Sequence, residues 1–361
     1  SLAVAAAFAL VLSSCAENGN RDSGSDSGAV VFGQLIGVSG DMAPFTPPAI
    51  DAAKIAIAEI NDAGGVMGRD VKLVTEDNRS TVDGAVSGFS KLTSVSDVDV
   101  IGSPESDAVV ALFDQIEQRQ IPTICSSCGT TFVDDKGGSY MFRVTASDSD
   151  NGLIVAQVAR DAGVEKLAMI VQNTEGASAP AEVAQAAFER AGGEVTTVSI
   201  EPGASSYNSE VAKAFSGSPD ALYLGAGVEA GIPILREIER RGYDVPIYVS
   251  PDLITDEVAQ LPNADQLSAA LTAFDVESPA YQSYAERYQA ATGGPPEPGM
   301  YDANNYAQHI LFALAMEAAQ STSGKDVAAQ IIDVASAPGT KVYSFADGKA
   351  ALEKGEDIDF D

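Results

Sequence analysis

The sequence is poor in several residue types that define large functional classes. It has no tryptophan, one histidine (His309), three cysteines, and only 21 lysines and arginines against 52 aspartates and glutamates. A formal charge of −31 repels phosphate backbones, so nucleic-acid binding is excluded; the excess instead suits solubility in a salty medium. One histidine cannot build a His-rich metal site, and any Ser-His-Asp arrangement would have to converge on it. No G-x-S-x-G elbow is present, and His309 sits in the helical stretch that begins at Tyr301, where a structural role is expected. No metal and no cofactor are expected.

Long apolar runs are also scarce. The only one near the N-terminus, Leu2 to Leu12, is shorter than the ~20 residues a spanning helix needs, and has the length of a signal-peptide core. It runs into Leu12-Ser13-Ser14-Cys15, which resembles a bacterial lipobox and makes Cys15 the expected lipidation site. Residues 16–29 lack apolar periodicity and read as a flexible tether, with 1–15 as the leader. Neither a methionine nor a basic segment precedes Ser1, and Asp361 falls within an unfinished pattern, so the sequence reads as a fragment at both ends.

Cys125 and Cys128 stand as Cys-Ser-Ser-Cys after a short strand. The spacing allows a local disulfide, a pair of free thiols or a redox pair; zinc is excluded for want of two further ligands.

Over 361 residues, apolar runs of strand length alternate with helical patterns, which predicts α/β units and parallel sheets. Pro47 to Ala63 is the first helix, with Ile50, Ala53, Ile57 and Ile60 on one stripe and Gly64-Gly65 as its stop. The rhythm runs once to Val144 and starts again from Gly152, giving two lobes of similar build. Beyond Phe274 it changes to consecutive helices that must pack back on lobes already formed. The expected division is 30–143 with about 275–334 as the N-terminal lobe, and 144–274 with about 335–361 as the C-terminal lobe.

In open parallel sheets ligands bind beyond the carboxyl ends of the strands. Four loops qualify. Ser106 offers a hydroxyl at a helix start suited to a carboxylate, or a plain N-cap. The Cys125–Thr130 loop adds hydroxyls and exposed backbone. Asp252, after a second-lobe strand, is placed to meet an ammonium group or solvent. Phe45, in the first loop, covers an apolar ligand group or a core edge. Gly225-Ala-Gly-Val-Glu-Ala230 matches a relaxed dinucleotide fingerprint; the rivals to a solute carrier are a surface lipoprotein that senses without transporting and an oxidoreductase using that turn or the Cys125/Cys128 thiols.

The stretch Ala53 to Gly68, with its A-x-x-E-I-N-x-x-G-G-x-x-G pattern, resembles the type I periplasmic binding proteins of the branched-chain amino acid transporter family. The likeness continues through Val74-Thr-Glu-Asp77, Val100-Ile-Gly-Ser103, Phe142-Arg-Val and Tyr301-Asp-Ala. It implies two doubly wound α/β lobes joined by three crossovers, no enzymatic activity, a monomer, and a closed form that delivers a small amino acid or amide to an ABC permease. It also implies site roles: Ser106 for the ligand carboxylate, Ser127 to Thr130 for backbone and hydroxyl contacts, Asp252 for the ammonium, and Phe45 as the aromatic wall. Two departures thin the apolar lid of the second lobe: Gln172-Asn-Thr-Glu-Gly176 lacks the tyrosine the family often carries, and Gly225-Ala-Gly227 replaces a second aromatic. A leucine-like ligand is therefore placed in doubt, and amides, urea-like compounds or polar amino acids remain open.

Overall fold

The computed structural model describes residues 28–270, 274–296 and 301–361. Cys15 and the tether up to residue 27 lie outside the described residues. Ten strands form two parallel sheets. The first contains β1 (Val30–Ile36), β2 (Val71–Asp77), β3 (Val100–Gly102), β4 (Thr123–Cys125) and β5 (Met141–Arg143), in the order β2-β1-β3-β4-β5. The second contains β6 (Lys166–Gln172), β7 (Glu194–Ile200), β8 (Ala221–Gly225), β9 (Ile247–Val249) and β10 (Leu267–Ala269), in the order β7-β6-β8-β9-β10. Each lobe therefore winds 2-1-3-4-5. That order reverses direction between its first and third strands, and the reversal opens a crevice at their carboxyl ends.

Helices cover both faces. In the first lobe, α1 (Thr46–Asp62), α2 (Val82–Ser94), α3 (Ser106–Arg119) and the short α4 (Thr131–Lys136) follow the strands. In α1 the buried stripe is Ala49, Ala52, Ala53, Ala56, Ile57 and Ile60. Its small residues allow close packing, while Ile50 is only half-buried. The second lobe carries α5 (Asp148–Asp161), α6 (Glu175–Arg190), α7 (Asn208–Ala214), α8 (Val228–Arg241) and the one-turn α9 (Asp256–Ala259). None of the described helices is long and apolar enough to cross a membrane.

The chain returns to the first lobe with α10 (Pro279–Thr292), α11 (Asp302–Ala319), α12 (Gly324–Ile331), β11 (Thr340–Val342), α13 (Phe345–Leu352) and β12 (Ile358–Phe360). This corrects the expectation that 335–361 belongs to the second lobe. Val342, Phe345, Ala351, Ile358 and Phe360 join one core with Val30 and Phe32 of β1 and with α11, because the apolar face of α13 meets α1 and α11. Among the described residues the chain crosses between lobes after β5 and again between β10 and α10; the third crossing expected near residue 335 is not made there.

Helix α11 is buried nearly all round. His309 lies on it with no exposed surface, its Nδ1 donating to the Asn305 carbonyl at 2.6 Å and its ring 6.2 Å from that of Phe32. Burial pulls its pKa down to about 4, so the imidazole is a neutral core group.

Candidate functional site

The carboxyl ends of the two sheets face each other across a cavity of about 400 Å³ lined from both lobes. The first-lobe rim is built from four loops tied together from below. Gly40 takes φ +83°, and a side chain there would strike the Arg79 carbonyl, so only glycine lets the β1 and β2 loops approach and present Asp41. Glu105 joins three loops at once. It accepts from the Gly37 amide at 2.7 Å and from the Asn78 side chain, and its backbone bridges to Ser127. Beneath them Gln308 of α11 donates to Ser103 Oγ at 2.6 Å and accepts from the Ser103 amide at 3.1 Å. Asn304 of the same helix donates to the Ser126 carbonyl at 3.1 Å.

On this rim Ser106 is the first residue of α3, whose N-cap Glu105 makes no side-chain cap bond. The free amides and positive dipole end of α3 thus border the cavity beside the Ser106 hydroxyl. Ser127 lines the same wall. Cys125 and Cys128 bracket it as a disulfide, with Cα atoms 5.8 Å apart and both residues buried.

From the second lobe, Asp252 reaches the cavity on the turn after β9. Burial, and then the charge of Asp41, push its pKa up to about 6. Asp148, the first residue of α5, lies beside it. Its amide donates to the Gly129 carbonyl at 2.6 Å, and its side chain packs where a Gly129 Cβ would sit. Burial raises the Asp148 pKa to about 7, with the Asp252 and Glu175 charges adding to the rise and Asn151 and Arg143 partly offsetting it. Tyr223 and Tyr301 complete the wall; burial, reinforced by these two carboxylates, raises both phenol pKa values, so they stay protonated O–H donors.

Ser106, Ser127 and Asp252 thus meet at one cavity. Phe45 and Thr130 do not line it. Phe45 is buried behind the wall with its ring 6.1 Å from that of Tyr301, edge to face. Thr130 caps α4 by accepting from the Phe132 amide at 3.1 Å and donates to Glu175 at 2.5 Å. Asp41, Asp148, Tyr223 and Tyr301 are the wall residues that sequence reasoning missed. The available signals were the position of Asp41 after Gly40, that of Asp148 at a helix start, and the Tyr301-Asp-Ala match.

The lobes are latched across the cavity by first-lobe carboxylates that cap second-lobe helices. Asp41 accepts from the Glu229 amide of α8 at 3.0 Å and from the Gln172 side chain at 3.1 Å. Asp107 accepts from the Glu175 and Gly176 amides of α6 at 2.9 and 3.4 Å. Neither helix has a side-chain cap of its own. The Gly225–Ala230 turn is therefore filled where a dinucleotide phosphate would sit: the Asp41 carboxylate holds the start of α8, 2.1 Å from where a Gly227 Cβ would be.

The model of the periplasmic binding protein family matches residues 29–351. An amino acid binding protein of Pseudomonas aeruginosa is 24% identical over 275 residues, 74% of this chain and 72% of that one. A Leu/Ile/Val-binding protein homolog of Brucella abortus is 23% identical over 302 residues, 83% and 81% of the two chains. Among solved structures, the branched-chain amino acid transporter substrate binding protein of Streptococcus pneumoniae, in complex with isoleucine, superposes with a TM-score of 0.72 at 22% identity, covering 89% of this chain and 93% of that one. With two lobes of like winding closed on a lined cavity, and a family match over most of its length, this chain belongs to the periplasmic binding protein family.

Proposed function

We propose that the protein is the extracytoplasmic substrate-binding component of an ABC importer, which captures a small amino-acid-like solute, a branched-chain amino acid or amide in the wider family sense, and delivers it to a membrane permease. The observation that carries this reading is the cavity of about 400 Å³ walled by both lobes, within the size range of small-solute sites. The names of the matched relatives, an amino acid binding protein and a Leu/Ile/Val-binding protein homolog, support it.

In this reading the solute lands on the first lobe, its carboxylate at the start of α3 with the Ser106 and Ser127 hydroxyls. Asp252 then meets the ammonium as the lobes close. The contacts made only in the closed form drive closure, and the closed form is what the permease recognises. Cys15 carries the lipid anchor, residues 16–29 are the leash, and the protein acts as a monomer. No turnover is involved: the one histidine is a core residue, far from serving as a base.

The test is a thermal-shift and calorimetric screen of amino acids and amides on the purified protein, with native mass spectrometry for a co-purified solute. A true ligand at a hundredfold its Kd stabilises the fold by about 2.7 kcal/mol. A screen without a single stabilising solute, and no solute in the native spectrum, defeats the proposal. The anchor is tested separately: radiolabelled palmitate enters the protein in cells and is lost in Cys15→Ser.

A further inference from the structure

We propose that the solute of this cleft is an organic cation, a small amino compound of net positive charge whose N–H donors bridge Asp148 and Asp252, in preference to a neutral zwitterion or an anion. The inference rests on the solute-binding reading above and narrows its solute. Six carboxylates line the cavity, Asp41, Glu105, Asp107, Asp148, Asp252 and Glu229, against one guanidinium, Arg79. Four of the six are accounted for. Asp41 and Asp107 cap second-lobe helices, Glu105 ties the first-lobe loops, and Glu229 is solvent-exposed.

Asp148 and Asp252 remain. Asp148 is only 9% exposed, yet its Oδ2 has no hydrogen-bond partner. A buried carboxylate with one oxygen unsatisfied is costly, a second carboxylate close enough to raise its pKa makes it more so, and the Asn151 hydrogen bond and the Arg143 charge offset only part of that cost. An amine, amidine or guanidine supplies positive charge and N–H donors together, which answers both deficits. The lone ammonium of a neutral amino acid is balanced by its own carboxylate and leaves one of the two acids unpaired. A metal ion fits less well, because among the described residues no group of three or more His, Cys, Asp or Glu side chains is placed to hold one. Tyr223, Phe274 and Tyr301 give the same space aromatic walls, which favour a cation.

Binding is then linked to protons. The groups facing Asp148 are Asp252 and Glu175 from the second lobe and Arg143 from the first, and Asp41 faces Asp252. With Asp148 raised to about 7 and Asp252 to about 6, the empty cleft holds part of a proton near neutrality. An arriving cation expels it, so affinity rises with pH through that window.

The experiment is calorimetry on the full chain with two solutes that differ by one amine, lysine and norleucine, followed by arginine, putrescine and benzoate. Lysine or another cation binds at least about tenfold more tightly than norleucine. The enthalpy varies with the ionisation heat of the buffer, reporting proton release. Asp148→Asn brings the lysine-to-norleucine ratio toward one. Arginine against putrescine tells whether the cation is an amino acid or a plain amine. Norleucine or benzoate binding as tightly as every cation overturns the proposal and leaves the solute-binding reading standing; no heat from any of these solutes also overturns it, and the solute-binding reading falls with it only where the wider screen and the native spectrum are blank as well. If Asp148→Asn does not fold, the lysine and norleucine comparison in the unaltered protein decides alone.

Discussion

The first lobe winds β2-β1-β3-β4-β5 and the second β7-β6-β8-β9-β10, the same order twice, yet their rims are held in different ways. In the first, the strand ends are fixed from within: Gln34, Ser103, Asn305 and Gln308 form a buried polar network between the sheet and α11, and Glu105 gathers three loops above it. In the second, Gln172 and the starts of α6 and α8 find their partners across the cleft, on Asp41 and Asp107. One rim is tied within its own lobe, and the other, beside its own Gly227–Gln172 and Ser250–Ala226 bonds, takes part of its bonding from across the cleft. Under the proposed function, that difference makes the first lobe the half on which a solute would land and the second the half whose position would report it.

The largest effect expected from breaking this contrast is on the first-lobe core. Phe312 of α11 has no exposed surface and packs edge to face on Phe32 at 5.8 Å between ring centres. Phe312→Ala removes about 3–5 kcal/mol of stability, and because α11 carries Gln308 and Asn304, solute affinity falls with it. Phe188→Ala, at an equally buried position in the second lobe, destabilises comparably but spares the landing rim. Denaturant unfolding and calorimetry on both variants check the contrast; equal losses of affinity would erase it.

The next effect is on the acid of the closing rim. Asp252→Asn keeps the shape and removes the charge, and weakens solute binding about 100-fold, as truncating one partner of a desolvated ion pair does. Calorimetry reads the change directly, and an unchanged Kd would remove Asp252 from the site.

A smaller effect is on pH dependence. Burial holds Glu105 and Asp148 up to about 7 and Asp252 up to about 6, all above their unfolded values. Between about pH 4 and pH 7 these three acids retain protons in the fold that the unfolded chain releases, and their contribution to stability falls as pH rises; buried His309, held down to about 4 from 6.5, opposes them over the lower part of that window, but one group is outweighed by three. The solute-free protein should melt at least about 2 °C higher near pH 5 than near pH 8. The same sign is expected from the overall negative charge, but molar salt screens that surface term and leaves the buried one. Loss of the difference in molar sodium chloride would assign it to the surface.

The sequence carried the alternation of strand and helix plainly, because each run has its own period, and it placed Ser106, Asp252 and the Cys125–Thr130 loop at strand ends because a strand end in a parallel sheet is a local signal; Ser127 within that loop was implied by the family resemblance. It did not carry the direction of a side chain within a loop. Phe45 turns behind Tyr301, and the Thr130 hydroxyl is taken by the α4 cap. Nor did it carry partnerships that exist only after the lobes meet. Asp41 and Asp107 look like ordinary loop or helix-start acids until Gln172, α6 and α8 arrive from more than sixty residues away. The lobe that 335–361 joins was illegible for a related reason: α13 is amphipathic, and its apolar face has no local mark saying which lobe will cover it.

The finest probe of the contrast is the pair of borrowed caps. Asp41→Ala and Asp107→Ala each remove a charged N-cap from a second-lobe helix without touching the first-lobe network. Each loses about 0.5–1 kcal/mol, but the loss falls on the closed form alone, since in the open form those amides are met by water. The closure equilibrium shifts about two- to fivefold per variant, and the effects nearly add because the two acids cap different helices. Small-angle scattering of the double variant should report a larger radius of gyration than the parent, with a Kd weakened by the product of the two shifts and a thermal midpoint almost unmoved. A double variant that keeps the compact radius and the parent affinity would mean that the second rim is held by its own lobe after all, and the two lobes would then differ in sequence but not in how they are built.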